Sequence, residues 1–98
     1  MLLLYNAQPI SIYLVNRENR IGINFCNVKM KMTPCQFQLF HNYLTNISQS
    51  LKESQEKVQL LLVKNNLSIT ISLNHFLQLL DGVQLVMSER FGKKLYKQ

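Results

Sequence analysis

Apolar and polar residues alternate along the first third of the chain. Ile10–Val15 reads as a strand, closed by the polar run Asn16-Arg17-Glu18-Asn19. Arg20 to Phe25 places Ile21, Ile23 and Phe25 on one side and Arg20, Gly22 and Asn24 on the other. After a tight turn at Cys26-Asn27, Val28, Met30 and Met32 alternate with Lys29 and Lys31. Successive side chains of a strand point to opposite faces, so a period of two marks a half-buried antiparallel strand. The three segments predict a meander.

The period changes at Thr33-Pro34. Threonine accepts a hydrogen bond from the orphan N–H groups of a first helical turn, and proline suits the first helical position because it has no N–H to leave unpaired. Phe37, Phe40, Leu44, Ile47 and Leu51 then recur at helical spacing, one apolar stripe, and Lys52-Glu53-Ser54-Gln55-Glu56 closes it. Lys57–Val63 predicts a strand, Lys64-Asn65-Asn66 a turn and Leu67–Ser72 another strand. Ser72 caps a second helix whose stripe is Phe76, Leu80, Val83 and Met87, with Leu73 and Leu77 alongside. Asp81-Gly82 either weakens that helix, by about 1 kcal/mol relative to alanine at the glycine, or marks a kink or an early end. Gly92 suits a C-terminal stop. The two halves correspond, Thr33 matching Ser72 and Phe37 matching Phe76.

These elements predict an α+β fold of two layers. A mostly antiparallel sheet of about five strands, in the order βββαββα, carries both helices on one face. The 98 residues form a single domain on this reading, with residues 89–98 a basic C-terminal tail. The chain is 47% hydrophobic and 16% charged, so it has the apolar content of a folded domain rather than a disordered one.

Lys and Arg number 11 against five Asp and Glu, a net charge of +6 shared evenly by the two halves. That excess favours an anionic partner, although a charge of this size also serves solubility alone. Met1-Leu2-Leu3-Leu4-Tyr5 has no basic lead and ends too soon for a signal peptide, and no stretch approaches the roughly 20 apolar residues of a membrane span. Cys26 and Cys35 are too few for a disulfide framework, which leads to the expectation of a cytoplasmic protein with reduced thiols.

The segment Phe25-Cys26-Asn27-Val28-Lys29-Met30-Lys31-Met32-Thr33-Pro34-Cys35-Gln36-Phe37 resembles the centre of a family of small uncharacterised bacterial proteins. In those, F-G-N-V, alternating apolar residues and S/T-P-x-x-F lead into a helix. Ser72-Leu73-Asn74-His75-Phe76 is similar to their second helix start. Cys26 stands where the family pattern has glycine. The resemblance implies a fold and a bacterial source, and carries no activity, cofactor or functional residue.

Catalytic and metal chemistry is poorly supplied. Cys26 and Cys35 form no short-spaced pair, and His41 and His75 lie on different predicted helices, whereas zinc needs three or four convergent ligands. Cys35 and His41 stand about 240° apart around one helix, so they do not share a face as nucleophile and base. Glu18, Glu53, Glu56, Asp81 and Glu89 form no paired carboxylates, and Gly22, Gly82 and Gly92 form no phosphate loop. The expectation is a protein that is not an enzyme, with no catalytic residue, metal, cofactor or small-molecule substrate.

The surfaces are more informative. If the helices cover Ile21, Ile23 and Phe25, the opposite face of the sheet carries Arg20, Asn24, Lys29 and Lys31, with Tyr13, Ser68 and Thr70 as further candidates. The C-terminal tail adds Arg90, Lys93, Lys94, Tyr96 and Lys97, where apolar and basic residues mix. The expected partner-binding residues are therefore Arg20, Lys29, Lys31, Arg90, Lys93, Lys94, Tyr96 and Lys97. The expected function is a non-enzymatic interaction module, an accessory or adaptor subunit of a larger assembly, meeting a protein partner or further copies of itself. The alternative is an RNA- or DNA-binding protein using the same basic sheet face, although only Tyr13 offers a stacking ring there.

Overall fold

The computed structural model describes residues 2–15, 17, 19–25, 28–62 and 67–91. Among them are six strands and two helices: β1 (Leu2–Ala7), β2 (Ile10–Val15), β3 (Arg20–Phe25), β4 (Val28–Met32), α1 (Pro34–Gln49), β5 (Lys57–Leu62), β6 (Leu67–Ser72) and α2 (Leu73–Val86). A π-helical turn, Met87–Phe91, extends α2. The fold is α+β and every strand pairing is antiparallel. The strands form two sheets rather than one, four in the order β1-β2-β3-β4 and two in the order β5-β6.

The extra strand is the apolar opening of the chain. Leu2–Ala7 pairs with β2 through a two-residue connection whose Gln8–Pro9 peptide is cis. Its register shifts between Leu3 and Tyr5, a bulge at Leu4. Leu4 and Tyr5 pack against the core, while Leu2 and Leu3 remain exposed. The turn Cys26-Asn27, residues 63–66 with the predicted turn Lys64-Asn65-Asn66, and the stop at Gly92 lie outside the described residues.

One apolar cluster joins the elements. Ile10 and Ile12 of β2, Ile21, Ile23 and Phe25 of β3, and Val58, Leu60 and Leu62 of β5 are buried on the side that faces the helices. From α1 come Phe37, Phe40 and Leu44, and from α2 come Phe76, Leu79, Val83 and Val86. No described polar or charged residue is buried with them. α1 lies on β3 and β4, whereas α2 packs against β1 and β2 of one sheet, β5 and β6 of the other, and α1. The second helix is thus the principal tie between the sheets.

Both helix starts obey the sequence. The Thr33 hydroxyl accepts from the Gln36 N–H at 3.2 Å, and the Gln36 side chain accepts from the Thr33 N–H at 2.9 Å, a reciprocal capping box. Ser72 accepts from the His75 N–H at 3.1 Å, and Phe37 and Phe76 follow at matching positions, both fully buried. Thr33→Ala leaves the Gln36 N–H without its partner. It is expected to lower stability by about 1 kcal/mol, read as a lower urea midpoint at unchanged slope.

α2 departs from expectation in its buried face. Leu79 and Val86 are core residues that lie outside the predicted stripe, and Leu77 is exposed. Of the two readings of Gly82, the helix takes the first and runs through it without ending. The ring of Tyr5 lies against that glycine, and a Cβ built there would stand 2.6 Å from Tyr5 Cδ2 and Cε2. Here glycine permits a close approach of β1 to α2. Burial, and after it the negative charge of Asp81, holds the Tyr5 hydroxyl above its ordinary pKa, so the ring stays neutral between sheet and helix.

Candidate interaction surface

The strand registers fix which residues share the uncovered face of the four-stranded sheet. Leu3 stands opposite Tyr13, Tyr13 opposite Gly22, and Gly22 opposite Lys31, one row across all four strands. Asn6, Ser11, Asn24 and Lys29 form the next row, and Val15 and Arg20 a third pair. Arg20, Lys29 and Lys31 therefore share one face with Tyr13, as the alternation predicts. The outer end of the Tyr13 ring lies over Gly22, close enough that no side chain fits beneath it. Asn24 is half-buried in this face, and its Oδ1 is shielded from solvent without a hydrogen-bond partner. Ser68 and Thr70 do not join the face: they belong to β6 in the second sheet, where the Ser68 hydroxyl accepts from Gln59 Nε2 at 2.6 Å.

Sequence reasoning missed a second feature, at the boundary between the sheets. A groove of about 440 Å³ runs along β4. Its walls are Met30 and Met32 of β4, Leu39, Phe40 and Tyr43 of α1, and Leu61 and Leu62 of β5. Arg20, Lys31 and Gln36 supply its polar groups. Leu39 and Leu61 stand 62% and 55% exposed on its lips, a large apolar surface to leave in water. The signal was present in the pattern. Leu39 falls off the α1 stripe, and Leu61 occupies the outward phase of β5, between inward Leu60 and Leu62.

Tyr43 explains why β5 does not extend the first sheet. The Leu61 N–H points away from β6 and donates to Tyr43 Oη at 2.8 Å. That bond satisfies one N–H of the outer β5 edge from α1, and among the described residues β4 is the terminal strand of its sheet. Arg20 and Lys31 are diagonal neighbours across β3 and β4, a spacing of about 7–8 Å that long side chains bridge. Together they make the groove rim cationic.

The remaining candidate residues are scattered. Arg90 is exposed in the π-helical turn, beside a smaller hollow of about 250 Å³ that it lines with Leu2, Leu3, Leu4, Val86 and Glu89. Lys93, Lys94, Tyr96 and Lys97 lie outside the described residues. Cys35 is a free, exposed thiol in the first turn of α1. His41 is half-buried later in that helix, and burial lowers its pKa, which keeps the imidazole neutral. Among the described residues no three His, Cys, Asp or Glu side chains converge to hold a metal, and no helix is long and apolar enough to cross a membrane.

What the geometry offers is therefore a cationic sheet face that turns at its β4 edge into an apolar groove. Neither a family model, nor a curated protein, nor a solved structure matches the chain.

Proposed function

We propose that the protein is a non-enzymatic, cytoplasmic interaction module, an accessory or adaptor subunit that holds a protein partner. One observation supports this above others: exposed Leu39 and Leu61 flank a preformed apolar groove with Arg20 and Lys31 on its rim. A concave apolar surface with a few directed polar groups is the usual form of a binding site.

A tagged protein retrieved from its native cells, with and without nuclease treatment, tests the reading. A stoichiometric protein partner that survives nuclease is the expected result. Material that disappears with nuclease favours the second reading, a single-stranded nucleic acid on the open face. Tyr13 over Gly22, with Arg20, Lys29 and Lys31 around it, favours that alternative as a one-ring stacking platform. Binding would then weaken steeply with salt, and replacing Lys29 and Lys31 would reduce the slope by about one unit for each phosphate no longer neutralised.

A further inference from the structure

We propose that the groove receives an extended segment of a partner protein in which apolar and acidic residues alternate, added to the outer edge of β4 as a fifth strand of that sheet. The inference rests on the interaction-module reading and names the chemistry of the partner.

Three observations lead to it. Among the described residues β4 ends its sheet and no strand pairs with its outer edge, whereas the β5 edge across the groove is occupied at Leu61 by Tyr43. An incoming strand thus pairs from the β4 side, at the usual spacing of about 4.8 Å. Its side chains then alternate as those of β4 do. One set enters the groove against Leu39, Phe40 and Leu61, and demands apolar residues. The other set lies on the open face beside exposed Lys29, which favours carboxylates.

The same geometry disfavours other occupants. A second copy pairing through its own β4 sets Lys29 and Lys31 against lysines, and like charges directly opposite destabilise a ladder. The far edge of the sheet, β1, carries a bulge at Leu4, and bulges blunt strand addition. Edge lysines by themselves serve to prevent aggregation. The exposed apolar lips beside them are what a purely protective edge does not need.

The test titrates the whole protein with a fluorescent ten-residue peptide of alternating valine and glutamate. A valine–lysine peptide and laurate serve as comparison ligands. The expected result is saturable binding of the glutamate peptide, at least tenfold tighter than the lysine peptide, with new hydrogen-exchange protection in β4. Leu39→Asp with Leu61→Asp is expected to weaken binding at least tenfold. Both positions are exposed, and an unchanged circular dichroism spectrum and melting midpoint confirm that the variant is folded. Lys29→Glu with Lys31→Glu is expected to reverse the preference toward the lysine peptide.

Equal binding of both peptides, protection at β1 instead of β4, or displacement by laurate without β4 protection overturns the proposal. So does failure of the glutamate peptide to bind. If the Leu39→Asp, Leu61→Asp variant still retains the nuclease-resistant partner, the groove proposal falls and the module reading stands. If no protein partner survives nuclease, the module reading falls with it.

Discussion

Phe76→Ala is expected to lower the unfolding free energy by about 3–5 kcal/mol, the range for removing a buried aromatic ring. Phe76 is fully buried in the first turn of α2, the helix that packs on both sheets. The cost has two parts, the forfeited transfer of the ring from water and the cavity left behind. The cavity is hard to close here because the four-stranded sheet and the β5–β6 hairpin meet around this helix. Domains commonly hold only about 5–15 kcal/mol, so the variant should stand near its unfolding threshold at ordinary temperature. Urea titration followed by far-ultraviolet dichroism and by tyrosine fluorescence measures it. Leu77→Ala, at an exposed neighbour on the same helix, should change stability by no more than about 0.5 kcal/mol. A similar small loss at Phe76 would show that the sheets close on the gap.

Gly82→Ala pits two effects against each other. Alanine favours the helix by about 1 kcal/mol, but its Cβ would stand 2.6 Å from the Tyr5 ring. That ring has little room to retreat. It is half-buried against the core, and its hydroxyl donates to the Gln78 carbonyl of the same helix at 3.5 Å. Overpacking of this kind costs about 1–3 kcal/mol, so a net loss is expected. The sign should reverse in a Tyr5→Ala background, where nothing opposes the helix preference and Gly82→Ala stabilises by up to about 1 kcal/mol. The double-mutant cycle isolates the interaction between the first strand and the last helix. Stabilisation by Gly82→Ala with Tyr5 in place would show that the ring yields.

The sequence is most legible where several local signals agree. At α1, Thr33, Pro34, Gln36 and the Phe37-Phe40-Leu44 stripe all point to one helix with one buried face, and that is what forms. β1 is hidden because Leu2-Leu3-Leu4-Tyr5 is continuously apolar, and the bulge at Leu4 breaks the period of two: Leu3 faces outward beside Tyr13, yet Tyr5 lies opposite Ile12. In α2 the run Leu77-Gln78-Leu79-Leu80 offers apolar residues to more than one face, so the stripe alone does not fix its phase. Only tertiary packing decides, and it buries Leu79 and leaves Leu77 in water. Gly82 reads locally as a weakness, and becomes a requirement only when Tyr5 is placed beside it. The open basic face follows from strand alternation, which groups Arg20, Lys29 and Lys31 without any tertiary knowledge. The groove does not, because its walls come from β4, α1 and β5, and no single period links Met32, Tyr43 and Leu61.

The dependence of the first two strands on α2 also orders events during synthesis. At ~5–20 residues per second, the helix beginning at Leu73 emerges roughly 3–13 seconds after β1. β1–β4 can pair as neighbouring hairpins in that interval, since each strand follows its partner directly in the chain. Ile10 and Ile12, however, lack the helix that packs over their strand until synthesis reaches α2. A nascent sheet with a bare apolar side is most open to wrong pairing at its ends, and those ends carry the Leu4 bulge on β1 and Lys29 and Lys31 on β4. The same two lysines that select an acidic strand in the finished protein thus discourage neighbouring nascent chains from joining edge to edge before the core has closed.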